Sequence, residues 1–166
     1  MNDESPITES TDTANRYTSA RELLDNCNIA DIRPVHIEAD LISPIPRRYS
    51  KVGIDSTLEH AVAPGVFRNR FGFRFNLADD DDNSVAELSF VLIVEWAVEE
   101  GYTPSADAAE HVARTTGYFA AYPYARELAQ STAARLGLDP LVLGILNRDE
   151  TKPNAVRAAQ RITDHN

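Results

Sequence analysis

Residues 65–77, GVFRNRFGFRFNL, constrain the fold more than any other stretch of the chain. Phe67, Phe71, Phe73, Phe75 and Leu77 fall on alternate positions, with Arg68, Arg70, Gly72, Arg74 and Asn76 between them. A period of two with one aromatic and one basic side is the pattern of an antiparallel strand that buries one face and wets the other. An acidic turn, ADDDDNS, follows. A second alternating run comes next, in which Leu88, Phe90, Leu92, Val94, Trp96 and Val98 oppose Glu87, Ser89, Val91, Ile93 and Glu95. Together the two runs predict a long hairpin, with Glu87 and Glu95 placed to face arginines across the pair.

Upstream, Ile29, Val35, Ile37, Ala39 and Leu41 share one face of a half-buried strand, while Ala30, His36, Glu38 and Asp40 share the other. Asp31 and Arg33 interrupt the pattern, and Ser43-Pro44-Ile45-Pro46 ends it, because proline cannot donate to a ladder. A weaker extended stretch runs from Tyr49 to Leu58. The sum is an antiparallel sheet of about four strands. After Gly101 the period changes to 3.6. Thr103-Pro104-Ser105 starts a helix that runs to Thr116 and is broken by Gly117; Pro123 opens a second one, closed by Gly137. Residues 15–27 suit a short helix with Tyr17, Ala20, Leu23 and Leu24 on one side. The expected division is an acidic flexible tail with that helix (1–28), one domain (29–148) and a polar tail (149–166) with a loose helix at 154–162.

Composition removes several function classes. Sixteen Lys and Arg stand against 26 Asp and Glu, a net charge of −10, which disfavours nucleic acid. Cys27 is the single cysteine, so neither an internal disulfide nor a multi-cysteine zinc site is available. The first residues lack the apolar stretch of a secretory signal, and the longest apolar run, Phe90 to Val94, is far too short for a membrane span. A cytoplasmic protein without membrane insertion is expected. His36, His60, His111 and His165 are scattered without ligand spacing, so no metal is expected. A calcium loop starting at Asp79 needs glycine at its sixth place and glutamate at its twelfth; Ser84 and Phe90 stand there. No nucleophile–base pattern or phosphate loop occurs, so no catalytic residue and no cofactor is assigned. Arg68, Arg70 and Arg74 read either as an anion-binding stripe or, preferably, as a sheet face paired with glutamates. Two or three helices cannot cover all the aromatic surface, which leaves apolar area for an oligomer interface or a binding groove.

Residues 115–150, TTGYFAAYPYARELAQSTAARLGLDPLVLGILNRDE, resemble the C-terminal part of the SecB protein-export chaperones. Tyr122-Pro123-Tyr124-Ala125-Arg126-Glu127 is similar to that family's aromatic-Pro-Tyr-x-Arg-Glu signature, and Leu138, Pro140, Leu141 and Leu143 sit where the family carries a leucine- and proline-containing segment. The likeness is closer to the actinobacterial SecB-like proteins, some of which accompany toxin–antitoxin pairs. It implies an α+β fold with a four-stranded antiparallel sheet and helices on one face, assembled as a homotetramer. It also implies ATP-independent holding of non-native polypeptides, either preproteins or an antitoxin, and no enzyme activity. The implied groove residues are Leu41, Ile42, Ile45, Tyr49, Val52, Phe119 and Tyr122, with Arg126 and Glu127 structural. Two departures weigh against the SecA translocation motor as a partner and favour a dedicated client. The tail RDETKPNAVRAAQRITDHN lacks the family's zinc-binding cysteines, and its acidic docking face is matched only by Glu38 and Asp40 near His36. A small-ligand-binding or enzymatic α+β domain, using a cavity under the aromatic strand, is the alternative from another class.

Overall fold

The alternating runs pair as their period demands. In the computed structural model, which describes residues 8–43, 48–143 and 155–156, they form β3 (Val66–Ala78) and β4 (Ser84–Val98). Phe71 stands opposite Leu92 and Phe73 opposite Phe90. β1 (Cys27–Leu41) pairs with β4, and β2 (Lys51–Ala63) pairs with β3, all antiparallel. A two-residue β5 (Ala155–Val156) lies parallel to β2, giving the order β1-β4-β3-β2-β5. The segment after β1 therefore carries the chain across one end of the sheet to its far edge.

β1 departs from a simple alternation at two places. The register with β4 slips between Ile29 and Asp31 and again between Pro34 and His36. Ala30 and Val35 are thus the extra residues of two bulges, each of which re-aims the strand. Ile32 and Pro34, rather than Val35, stand opposite the core residues Val94 and Leu92. β2 continues five residues past Leu58 to Ala63, because Gly65 at φ 73° lets the chain turn straight back into β3.

One face of the sheet carries α1 (Thr8–Asp25), α2 (Ala106–Val112) and α3 (Tyr118–Arg135). α1 extends to Thr8, so part of the segment whose composition predicts a flexible tail is helical. Ser105 caps α2, its hydroxyl accepting the Ala108 N–H. Gly117 does not break the helix. A π turn, Ala113–Gly117, joins α2 to α3 without interruption, and the Tyr118 N–H reaches back to the Ala113 carbonyl. Gly117 keeps ordinary helical angles, and its role is close approach. A Cβ there would lie 2.6 Å from Asn69 Oδ1 and 3.3 Å from Phe71 Cζ. Pro123, expected to open a helix, lies inside α3 on its exposed side. Gly137, at φ 70°, ends α3 as expected: its N–H reaches Ala134 O and that of Leu138 reaches Ala133 O, both at 3.0 Å. Of the helix expected at 154–162, Ala155 and Val156 are extended; the rest lies outside the described residues.

The core sits between the sheet and this helical layer. Phe67, Phe71, Phe73, Phe75 and Phe90 are fully buried, each contributing about 1.5–3 kcal/mol by removal from water. Tyr118 meets Phe71 edge-on at 5.9 Å, and Tyr122 lies 6.3 Å from Phe73. Asn69 is the buried polar residue in this aromatic field; its Oδ1 accepts the Trp96 indole N–H at 2.8 Å. The opposite face is wet and charged. Arg68 pairs with Glu95 at 2.7 Å, Arg74 with Glu87 at 3.2 Å and Arg70 with Glu59 at 3.3 Å. The arginine stripe is a paired sheet face, and such exposed pairs contribute little each.

Candidate functional site

The helices do not cover the whole of the sheet face on which they pack. The central strands β3 and β4 are sealed, but the outer two are not. Ile29 and Ile37 of β1 and Ile54 and Val62 of β2 stand opposite buried Trp96, Phe90, Phe75 and Phe67, on the same face as the core. They are nonetheless 44%, 53%, 40% and 38% exposed. Apolar surface of this kind marks a binding or assembly site when it is contiguous.

Four of the groove residues named from sequence lie at one end of the sheet, two on each of its outer strands. Leu41 closes β1 half-buried, and exposed Ile42 follows it, its N–H donating to Val85 O at 2.9 Å. Across the end of the sheet, half-buried Tyr49 and Val52 pack on the core at the start of β2. The Tyr49 hydroxyl donates to the Asp139 carbonyl at 3.2 Å, and burial together with the nearby Asp139 carboxylate pushes its pKa up. That contact joins the end of the sheet to the segment after α3. There the Gly137 turn folds the chain back along the helix, and Gln130 Nε2 holds it by donating to Leu141 O at 3.1 Å. Leu138, Leu141 and Leu143 point inward, which leaves Val142 82% exposed.

The other named residues are placed differently. Ile45 lies outside the described residues. Phe119 is exposed on the outer side of α3 with Tyr124. Tyr122 is buried, stacked on Tyr118 and set against Phe73, so it belongs to the core rather than to the surface. Ile54, Tyr124 and Val142 were missed. The alternation of Val52, Ile54, Ser56 and Leu58 was a usable signal for Ile54; the exposure of Val142 had no signal, since its neighbours are equally apolar.

What this surface offers is apolar area to bury. Among the described residues no group of three or more His, Cys, Asp or Glu is placed to hold a metal ion. The acidic turn satisfies itself: the Asp79 carboxylate accepts the N–H groups of Asp81 and Asn83 and the Asn83 amide, and these bonds, those of Asn83 foremost, hold its pKa below the usual value. Glu38 and Asp40 do share the wet face with His36, whose Nε2 lies 3.3 Å from Glu38. No helix among the described residues is long and apolar enough to cross a membrane.

Comparison with known proteins adds to this geometry. No family model matches the chain. A stretch of 71 residues, 42% of this chain, is 37% identical to the SecB-like chaperone Rv1957 of Mycobacterium tuberculosis, and equally to its counterpart MT2006 in a second strain. The stretch spans 39% of the length of those relatives. The fold is similar to that of the solved Rv1957 SecB-like chaperone in complex with a ChAD peptide from the Rv1956 HigA1 antitoxin. That likeness has a TM-score of 0.66 at 27% identity and covers 79% of this chain and 98% of that one. The chain is thus similar to SecB-like chaperones in sequence over that stretch and in fold over most of its length. Four antiparallel strands with helices on one face are the architecture that the resemblance implied, with β5 added as a two-residue parallel strand.

Proposed function

We propose that this chain is an ATP-independent chaperone that holds a non-native polypeptide, with an antitoxin as its dedicated client. The observation that carries the reading is the fold shared over nearly the whole of a SecB-like chaperone that itself binds an antitoxin peptide. The apolar end formed by Leu41, Ile42, Tyr49, Val52 and Val142, with Phe119 on the helical side, is the proposed contact surface. Burial of client side chains there would contribute about 25 cal/mol per Å² without demanding a particular sequence. Assembly as a homotetramer in the cytoplasm, with no catalytic role, belongs to the same proposal. Holding of preproteins for export is the second reading.

The test has two arms, both without ATP. An unfolded antitoxin from a neighbouring toxin–antitoxin pair and an unfolded general client are each diluted into buffer, and light scattering is followed with and without this protein. Suppression of the antitoxin's aggregation near one oligomer per client is expected. Suppression of the general client alone would favour the export reading. A stable folded chain that suppresses neither would refute holding.

A further inference from the structure

The end of the sheet away from the proposed client surface carries a second apolar site. Val62 lies about 33 Å beyond Val52 along β2 at the usual rise. There a cleft of about 480 Å³ opens between the β2–β3 turn and the loop from β4 to α2. Its size is that of sites that enclose small ligands. The apolar lining is Val62, Pro64, Val98, Tyr102 and Pro104, and the charged residue in its wall is Glu100.

Both walls are fixed in advance. Gly65 at φ 73° and Gly101 at φ 86° line the cleft in turns that few other residues tolerate. The Val98 N–H donates to Gly65 O at 3.0 Å, tying the β2–β3 turn to the end of β4. The Tyr102 N–H donates to Glu99 O at 3.1 Å and the Glu99 N–H to Asn26 O at 2.9 Å, which pins the loop to the start of β1. A cleft held in this way loses no binding energy to the ordering of its walls.

Charge selects the ligand. No Lys, Arg or His is among the described residues that line the cleft. Glu99 adjoins Glu100, and Glu22 is near enough to Tyr102 to assist burial in raising the pKa of that hydroxyl. A chain with a net charge of −10 draws cations to such a place. Set between two turns rather than along a strand, the cleft suits a compact molecule and not an extended segment.

We propose that this cleft binds a small organic cation, an ammonium group on an aliphatic body, with the body against Val62, Val98 and Tyr102 and the ammonium beside Glu100. The site is additional to the holding of clients and does not depend on it.

Amide shifts in NMR spectra of the full chain test this, with cyclohexylmethylamine, cyclohexylmethanol and cyclohexanecarboxylate as probes of similar shape. The amine is expected to move the Gly65, Gly101 and Tyr102 amides saturably and to leave those of Ile42 and Val52 in place. The alcohol should bind about two- to fivefold more weakly, the effect of one exposed ion pair, and the carboxylate more weakly still. Glu100→Gln should erase the preference for the amine over the alcohol. Val62→Lys, which sets a rival ammonium at the rim, should weaken binding of the amine at least about fivefold. Both positions are exposed, so the fold tolerates either change, and unchanged Trp96 fluorescence checks it. Equal affinities for amine and alcohol, shifts confined to other parts of the chain, or an amine preference that survives Glu100→Gln would each overturn the proposal. So would far tighter binding of a lysine-bearing client peptide at the same amides, which would give the cleft to polypeptides. The readout needs no client, so it can fail while holding stands, and stand while holding fails.

Discussion

Gly117→Ala should destabilise this protein, although glycine to alanine inside a helix normally stabilises it by about 0.5–1 kcal/mol. Gly117 sits in helical geometry at the end of the π turn, directly over β3. A methyl group there would come 2.6 Å from Asn69 Oδ1 and 3.3 Å from Phe71 Cζ, where ordinary contacts begin at 3.4 Å. The oxygen cannot swing away freely, because it accepts the Trp96 indole N–H at 2.8 Å in a fully buried setting. Either the helix shifts off the sheet or the amide turns and orphans a buried N–H at about 1–3 kcal/mol. Overpacking in cores costs about the same. Against the gain in helix propensity, the expected net loss is about 1–2 kcal/mol. Urea unfolding followed by the fluorescence of Trp96, the single tryptophan, measures it. The same substitution in an Asn69→Ala background should cost at least about 1 kcal/mol less, as the nearest atoms are gone. A stabilised Gly117→Ala, or a cycle with no coupling, would refute this account of the glycine.

Three further outcomes are expected. Ile42→Ser with Val142→Ser should leave stability within about 0.5 kcal/mol per site, as both side chains are exposed, yet raise the protein needed to suppress client aggregation; an unchanged requirement would remove this end of the sheet from the client surface. Asp79→Asn should weaken the β3–β4 turn at neutral pH. Because the folded pKa of Asp79 is depressed, its contribution is fully present above the ordinary carboxylate value and is lost as pH falls through the lower folded one; the difference in stability between variant and parent should therefore shrink on acidification, and a constant difference would contradict the turn's bonding. Burial raises the pKa of Cys27 and shields it, so a disulfide reagent at pH 8 should label the native chain at least about tenfold more slowly than the urea-unfolded chain; equal rates would place this thiol at the surface.

The hairpin β3–β4 and its ion pairs were legible because both faces of each strand carry unambiguous residue types. Phe71, Phe73 and Phe75 can only be inside, and Arg68 and Arg74 outside, so register and charge pairing follow from alternation alone. β1 was legible in extent and in facing except between its two bulges. The one-residue slips at Ala30 and Val35 cancel, so Ile29, Ile37, Ala39 and Leu41 share the core face as read, while between them Ile32 and Pro34, not Val35, take it. The helical half misled at two residues that usually punctuate. Gly117 and Pro123 both read as boundaries, and both lie within one continuous helical run. Gly117 is needed by what lies beneath it, Asn69, some 48 positions earlier in the chain, and no local pattern carries that information.

The site was harder to read for a reason that lies in its physics. A surface that holds apolar client segments must itself be apolar, so its residues obey the same alternation as the core. Ile54 and Leu58 are both large aliphatics on one face of β2, yet Leu58 is sealed and Ile54 is 40% exposed. Ile37 stands beside fully buried Phe90 and is 53% exposed. What separates each pair is whether it is covered in the packed fold, a property of its tertiary surroundings rather than of the residue. Tyr122 and Phe119 make the same point on α3: three positions apart, one stacks on Phe73 and the other faces solvent. Sequence therefore selects the apolar face and the end of the sheet where the chain crosses over. Only the packed helices divide that face into what is core and what stays exposed.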